Sequence, residues 1–529
     1  MTTKMLTQQE AQRLDYAPIF IVGAGSLAQK LANILNSAEL SYCFIDETAT
    51  SPLLGKAVIK AGQLTTAEGI FLIAISFVGY AENAVCRLEQ QRVRREQCLH
   101  LPNDSAAIVL AEMLRLSVSA TLTMLQQPMT NFVDFEQRFF ASQWQQRQQR
   151  RENTVRIGIS SLGRGGGYLE HLAGLPLQLN QQFDCLHLTD IQQQSIAQMP
   201  KLFLSQSAML EFDQLDLLIT AHVFPCSPPA VKKLSLVHMV YDFLLFSAQT
   251  YEHLAQANTH YVFVPSAPSL ALHEKIYQQQ GLSNNLVLIP GGYPKHDANL
   301  QKYQQVASTV ALSDCILYAP TLCSLPAASE TSDCYSILQA EFFLPQLLET
   351  FISAHIIFRP HPEDLALAHL DLPYPRAVAF RKVLAFCRSH PRCTVDDNRS
   401  CYLTSFAKSK VVISDTSSVA FSFVLLTNRT AIFYAENHQS LEIAFDDCQF
   451  IKDRHQFGAC VATTEELCRQ VALALQPTCQ EQHNSAFCSQ VIFNLGHSVD
   501  YLMENLPFIL HDIRHPDWIY LQDKKKVTP

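Results

Sequence analysis

Short apolar runs alternate along this chain with longer segments whose apolar residues recur at helical spacing, and the alternation is repeated three times. The first stretch opens with "PIFIVGAGSLAQKLANIL": a strand over residues 19–22, a turn carrying Gly23 and Gly25, then a helix with one apolar face. "SYCFID" reads as a second strand ending on Asp46, and "IFLIAIS" (70–76) as a third. A Gln/Arg-rich segment, "ASQWQQRQQRREN" (141–153), has no core pattern and reads as a helix end plus linker, or equally as a solvated helix face. The second stretch starts at "TVRIGISSLGRGGGYLEHLAGL" and continues through strand-like runs at 215–222, 234–246, 260–266 and 285–294. The third begins with "CILYAPT" (315–321), followed by "AHIIFRPHP" (354–362), "KVVISDTSS" (410–418), "RTAIFYAE" (429–436) and "FGACVATTEEL" (457–467). The tail from about 480 reads mostly as helices.

This grammar predicts an α/β chain of three Rossmann-like units, each a mostly parallel sheet covered by helices. The segments expected are an N-terminal Rossmann-like domain (1–150), a second α/β domain (151–300), a third (301–480) and a helical tail (481–529).

Composition narrows the function classes. Hydrophobic residues make up 48% of the 529 and charged residues 16%, so burial is easy and extensive disorder is not expected. A net charge of -9 with no domain-long basic block argues against nucleic acid as a partner. The N-terminal "MTTKMLTQQEAQRLDYAP" is polar where a signal peptide needs an apolar stretch, and no run of about 18 apolar residues reads as a membrane span. The 16 cysteines include no C-x-x-C pair and sit in apolar segments, as reduced thiols do. A cytoplasmic location is expected.

In parallel sheets, ligands bind beyond the carboxyl ends of the strands. Three strand ends of the third unit carry chemistry: Pro320 and Thr321; then Arg359, Pro360, His361 and Pro362; then Ser414, Asp415, Thr416, Ser417 and Ser418. They bring a guanidinium, an imidazole between prolines, several hydroxyls and a helix N-terminus near Ser417, which suits an anion. Asp415 would repel a phosphate placed against it, so it is expected to cap backbone amides or to fix His361 or Arg359. An N-cap with no ligand is the plainer reading of "SDTSS" taken alone.

"LYAPT", "FRPHP" and "VVISDTSSVAFSFVLLTNRTAIFY", in this order and spacing, resemble the C-terminal half of the CDP-glycerol glycerophosphotransferase family, which builds teichoic-acid and related envelope polymers. "GGYPKHD" (291–297), with Lys295, resembles the family's G-x-P-(R/K)-x-D segment. The resemblance covers about 290–440 well and 154–290 in outline. It implies a GT-B fold made by the last two α/β domains, with a nucleotide-linked donor held mainly by the second of them. It also implies donor contacts by Thr321, Arg359, His361, Lys295 and residues 414–418. Two departures stand out. Cys323 and Ser324 follow "APT" where the family usually has Arg. The family's Trp-His-Gly-x-Pro-x-Lys segment has its nearest counterpart in "LVHMVYDF", which keeps His238 and lacks the Gly, Pro and Lys.

Candidates for the base are His238, His222 at the end of "LDLLITAH", and Glu170 with His171 after the Gly-rich "GRGGG" turn; His361 joins them as a catalytic candidate. "GRGGG" lacks the Lys-Ser/Thr of a phosphate-binding P-loop. In the first unit, "GAGSLA" between strand and helix, with Asp46 ending the next strand, fits the dinucleotide fingerprint through Gly23, Gly25 and Asp46, against a purely structural turn. That unit also resembles the small N-terminal domain of sugar O- and N-acyltransferases.

The expected chemistry is attack by an acceptor hydroxyl on a nucleotide-linked donor, CDP-glycerol or a similar CDP- or CMP-linked compound. No cofactor is expected, and no metal, because no Asp-x-Asp is present. Partners would be a glycan or lipid-linked acceptor. Peripheral contact at the inner membrane face, through Arg147, Arg150 and Arg151 or through lysines 524–526 with Trp518 and Tyr520 at headgroup level, stands against the plainer reading of an ordinary solvated tail. Two alternatives stay open: a glycosyltransferase using a nucleotide sugar, and a non-catalytic nucleotide-binding scaffold.

Overall fold

Alternation of inward and outward side chains along β1 (Ile19–Val22) shows how the first sheet is made. Ile19 and Ile21 pack with Leu27, Leu31 and Leu35 of the helix Ser26–Ser37, while Phe20 and Val22 pack on the other face with Val85 and Leu88 of the helix Val78–Gln90. The computed structural model describes residues 16–49, 51–76, 78–128, 136, 154–162, 169–190, 196, 198–223, 227–237, 240–241, 258–282, 285–324, 334–398, 402–445, 448–476, 487 and 490–524. Its strands form three largely parallel sheets of five, eight and six strands, the α/β class read from the sequence.

The chain divides into two compact units: Met1–Leu169 with Pro176–Leu234 and Gln256–Thr259, and Glu170–Leu175 with Ser235–Ala255 and His260–Pro529. In the first unit, β1 is followed by β2 (Tyr42–Ile45), β3 (Val58–Ile59), β4 (Ile70–Ile73) and β5 (Cys98–His100), in the order β3-β2-β1-β4-β5 and all parallel. The chain leaves β1 on one side and returns as β4 on the other, so a topological switch point lies at the carboxyl ends of β1 and β4. The same unit holds β6 (Arg156–Ser160), β7 (Asp184–Thr189), β8 (Lys201–Phe203) and β9 (Leu217–Thr220), with β6 between β7 and β9. The strand β10 (Lys232–Leu236) spans the division of the chain.

In the second unit, β11 (His260–Val264) runs parallel to β12 (Leu286–Pro290). Next come β13 (Cys315–Tyr318), β14 (His355–Phe358), β15 (Cys393–Val395), β16 (Ser409–Ser414), β17 (Ala431–Tyr434) and β18 (Gly458–Val461). These six form one parallel sheet of order β15-β14-β13-β16-β17-β18. Its switch point lies between β13 and β16. The helix Val419–Thr427 that follows β16 is apolar all round, as a helix buried against a sheet must be, and ends at Asn428 in the left-handed conformation.

The tail is not only helical. After the helix Ser498–Leu510, β19 (Ile519–Tyr520) pairs antiparallel with β12. Trp518 is 5% exposed, its ring against Tyr261 and Phe508 and its Nε1–H donating to Tyr501 Oη at 3.1 Å. This corrects the expectation that Trp518 sits among lipid headgroups: the indole is a core residue because β19 carries it into the unit. Tyr520 Oη accepts from the His515 amide at 2.8 Å. Lysines 525 and 526 and arginines 147, 150 and 151 lie outside the described residues. Among the described residues no helix is long and apolar enough to cross a membrane.

Candidate functional site

The hydroxyl-and-carboxylate cluster after β16 is mostly internal wiring. Asp415 is fully buried and accepts four hydrogen bonds, from the amides of Thr321 (2.9 Å), Ser336 (3.0 Å) and Thr416 (2.7 Å) and from Ser336 Oγ (2.8 Å). Burial pushes its pKa up against the pull of those donors. Ser414, also fully buried, donates its hydroxyl to the carbonyl of Ala319 at 2.7 Å. Both side chains are committed to these protein partners, and Asp415 caps backbone amides as its charge led us to expect. A buried carboxylate is stable only when its oxygens are paired, and here the loop after β13 supplies the pairing. Asp364, equally buried, ties the same loop by accepting from the amides of Cys323 and Ser324 at 3.0 and 2.7 Å. Thr321, Cys323 and Ser324 therefore give up their amides to hold the loop.

What remains open at this edge is the start of the helix Val419–Thr427. Its N-cap, Ser418, makes no side-chain cap and is exposed, and Ser417 Oγ lies 3.5 Å from the Val419 amide; Thr416 is 9% exposed. Arg359 is not a free cation. Its guanidinium donates to Asp396 (2.8 Å) and to the Asn398 carbonyl (3.1 Å) and lies 5.2 Å from the centre of the Tyr402 ring. His361 caps the helix Pro362–Leu367, its Nδ1 accepting from the Glu363 amide at 3.2 Å. Desolvation lowers its pKa against the pull of Asp364 and Glu363, so the ring is neutral near pH 7.

A second cluster gathers around "GGYPKHD". Gly292 has φ +106°, in the left-handed region, and a Cβ there would meet Ser498 Oγ at 2.4 Å. Pro294 then starts the helix Pro294–Ala307. Asp297 in its first turn accepts from the amides of Gly496 and Ser498, both at 2.8 Å, and Ser498 Oγ accepts from the Tyr293 amide at 2.8 Å. Lys295 thus stands on a pinned helix start. Its Nζ lies 3.3 Å from His171 Nε2 and 3.6 Å from Glu170 Oε2, and Tyr293 Oη lies 3.0 Å from His171 Nδ1.

An ammonium can only donate, so this contact puts the ring proton of His171 on Nδ1, facing Tyr293. Desolvation lowers the Lys295 pKa, partly offset by Glu170, and burial pushes Tyr293 up. Asn299, one turn along the same helix, donates to Tyr402 Oη at 2.7 Å. Tyr402, pushed up to about 12 by burial, joins this cluster to Arg359. Residues from four separated segments therefore meet: Glu170–His171, Tyr293–Asn299, Arg359 and Tyr402. The sequence marked Glu170, His171, Lys295 and Arg359 separately. It gave no signal for Tyr293, Asn299 or Tyr402, whose roles come only from the fold.

Of the other base candidates, His238 and the "GRGGG" turn lie outside the described residues. His222 is half-buried in the first unit, where its carbonyl accepts from Thr220 Oγ1. Gly23, Gly25 and Asp46 meet at the switch point of the first sheet, around a cavity of about 670 Å³.

No protein-family model and no curated protein matches the chain. Solved structures do. The wall teichoic acid polymerase TagF aligns with 71% of this chain and 91% of its own at 14% identity and a TM-score of 0.44. A UDP-N-acetylglucosamine 2-epimerase aligns over 68% and 98% at 10% identity and 0.42. A glycosyltransferase from Rickettsia africae aligns over 69% and 100% at 11% identity and 0.39. Likeness of this degree says nothing about substrate.

Proposed function

We propose that the chain is a transferase moving a glycerophosphate or glycosyl group from a nucleotide-linked donor to a hydroxyl acceptor in the synthesis of an envelope polysaccharide or glycoconjugate. The carrying observation is the cluster in which Lys295 and Tyr293 hold the two ring nitrogens of His171. It combines a cation for a phosphate with a base whose tautomer is already set. A donor phosphate that takes up the Lys295 ammonium leaves His171 Nε2 open to accept the proton of an acceptor hydroxyl. Such proton removal contributes about 10²–10⁴-fold. Tyr293 then steadies the imidazolium through Nδ1.

With a CDP-linked glycerol, the acceptor oxygen bonds to the outer phosphorus, the P–O bond between the phosphates breaks and CMP leaves. With a nucleotide sugar, the acceptor oxygen bonds to the anomeric carbon, the anomeric C–O bond to phosphate breaks, and a nucleoside diphosphate leaves (CMP when the donor is a CMP-sugar). In either case Lys295 and the open helix start at Ser417 and Ser418 stabilise developing phosphate charge. "LYAPT", "FRPHP", "GGYPKHD" and "SDTSS" favour the CDP-linked donor and a lipid-linked acceptor reached at the membrane surface.

Calorimetric titration with CDP-glycerol, CDP-ribitol, a CMP-sugar and a UDP-sugar tests the reading. Binding selective for CDP-glycerol or CDP-ribitol supports it, and selectivity for the UDP-sugar moves it to the glycosyl branch. Binding of none of the four overturns it.

A further inference from the structure

We infer that the N-terminal sheet carries a second, separate binding site for a ribonucleoside 5′-diphosphate group, held in the cavity at the ends of β1, β2 and β4. The two glycines of the turn after β1 make the case by contrast. Gly23 is required by the fold alone: its φ is +115° and a Cβ would meet the Ala74 carbonyl oxygen at 3.0 Å. Gly25 has φ -72°, which any residue adopts, and a Cβ there would meet nothing within 4 Å. Neither strain nor packing explains a glycine at 25. The space its missing side chain leaves is the cavity of about 670 Å³, which Gly25 lines together with Ser26, Asp46, Thr48, Asn83 and Arg87. That volume lies inside the range of about 300–1,000 Å³ typical of small-ligand sites.

The polar groups around it are placed for one chemistry. The helix Ser26–Ser37 starts at Gly25 with no side-chain cap and no acidic residue in its first turn, and Gly25, Ser26 and Leu27 line the cavity, so the helix start offers an anion site there. Asp46 closes β2 on the far side of the turn. Its carboxylate accepts from the amides of Thr48 and Ala49 and from Thr48 Oγ1, all through Oδ1 at 2.7–2.8 Å. Those donors oppose desolvation and hold its pKa below the usual carboxylate value, so it is ionised. A fixed, charged carboxylate at this point accepts a ribose diol and repels a 2′-phosphate. Phosphate at the helix start and a free 2′-hydroxyl at Asp46 together specify a ribonucleoside diphosphate. A dinucleotide such as NAD and a nucleotide sugar both carry that group.

The test uses the full chain, with ADP, UDP, NAD, NADP and 2′-deoxy-ADP as titrants, in wild type and in Gly25→Leu, Asp46→Asn and Lys295→Ala. At least one ribonucleotide without a 2′-phosphate (ADP, UDP or NAD) should bind. Gly25→Leu, which fills the cavity, should weaken it tenfold or more, and Lys295→Ala should leave that component unchanged. Asp46→Asn should bring the ribo and 2′-deoxy forms within about threefold of each other and relieve the discrimination against NADP. If Gly25→Leu proves unfolded by circular dichroism, Asp46→Asn decides. NAD against UDP separates the two sources of the ligand. Wild-type binding of none of these, or binding that neither variant alters, overturns this site. A component lost in Lys295→Ala alone belongs to the transferase site, so the two readings fail separately.

Discussion

The turns after β1 and β16 share one grammar, a buried strand running through small polar residues into a helix, and fill it with opposite chemistry. After β16, Ser414 and Asp415 are buried and spend their hydrogen bonds on the loop after β13. After β1, a backbone turn with no side-chain cap opens on a cavity. Hydroxyls and a carboxylate at a strand end therefore do not by themselves mark a ligand. A second carboxylate nearby, such as Asp364, shows that the loop is being tied. A glycine whose Cβ would point into empty space is the better sign of an occupant.

Asp415→Ala is the severest way to probe the wired turn. It leaves three amides and a hydroxyl without their acceptor, at a cost of about 3–5 kcal/mol. Urea unfolding should show the loss, with Asp415→Asn milder. A loss under about 1 kcal/mol would mean the turn is not wired as described.

Acid sharpens the comparison between the two units. Burial lowers His187 in the first unit, and His273 and His296 in the second, from 6.5 to about 4. Each is neutral when folded and takes up a proton more readily when unfolded. Its contribution is thus complete above pH 6.5 and is lost as pH falls towards 4. By pH 5 the loss is about 2 kcal/mol for each histidine. Melting scans from pH 7.5 to 5 should fall steadily in the wild type and less steeply in His273→Phe.

The two glycines separate more gently. Gly23→Ala should cost about 1–3 kcal/mol because of its backbone, and Gly25→Ala under about 0.5 kcal/mol. Equal losses by thermal melting would remove the contrast between them. The smallest effect expected is from chelation: with Lys295 and the Ser417 helix start supplying positive charge, transfer should persist in EDTA, and loss restored by Mg²⁺ would contradict this.

The α/β class was legible because short continuous apolar strands and helical spacing are local signals, and burial of both faces enforces the first in β1. So were the strand-end residues, since a parallel sheet puts its chemistry at one edge. What each polar residue does there was less legible. Ser414 and Arg359 have the composition of a phosphate site, yet their partners, Ala319 and Asp396, lie 95 and 37 residues away. His171 and Lys295 are 124 residues apart, and nothing local to either predicts the pair. Trp518 misled for the same reason: beside lysines it reads as an interfacial anchor, and only the pairing of β19 with β12 shows it to be core.

The central claim is that Lys295 holds the donor while His171 takes the acceptor proton. Donor titration and single-turnover nucleotide release, measured side by side in a Gly25→Leu background for wild type, Lys295→Ala and His171→Asn, test it most directly. Lys295→Ala should weaken donor binding at least tenfold. His171→Asn should bind within about threefold of wild type and release nucleotide at least 10²-fold more slowly. Donor binding unchanged in Lys295→Ala, or wild-type release in His171→Asn, would contradict the account.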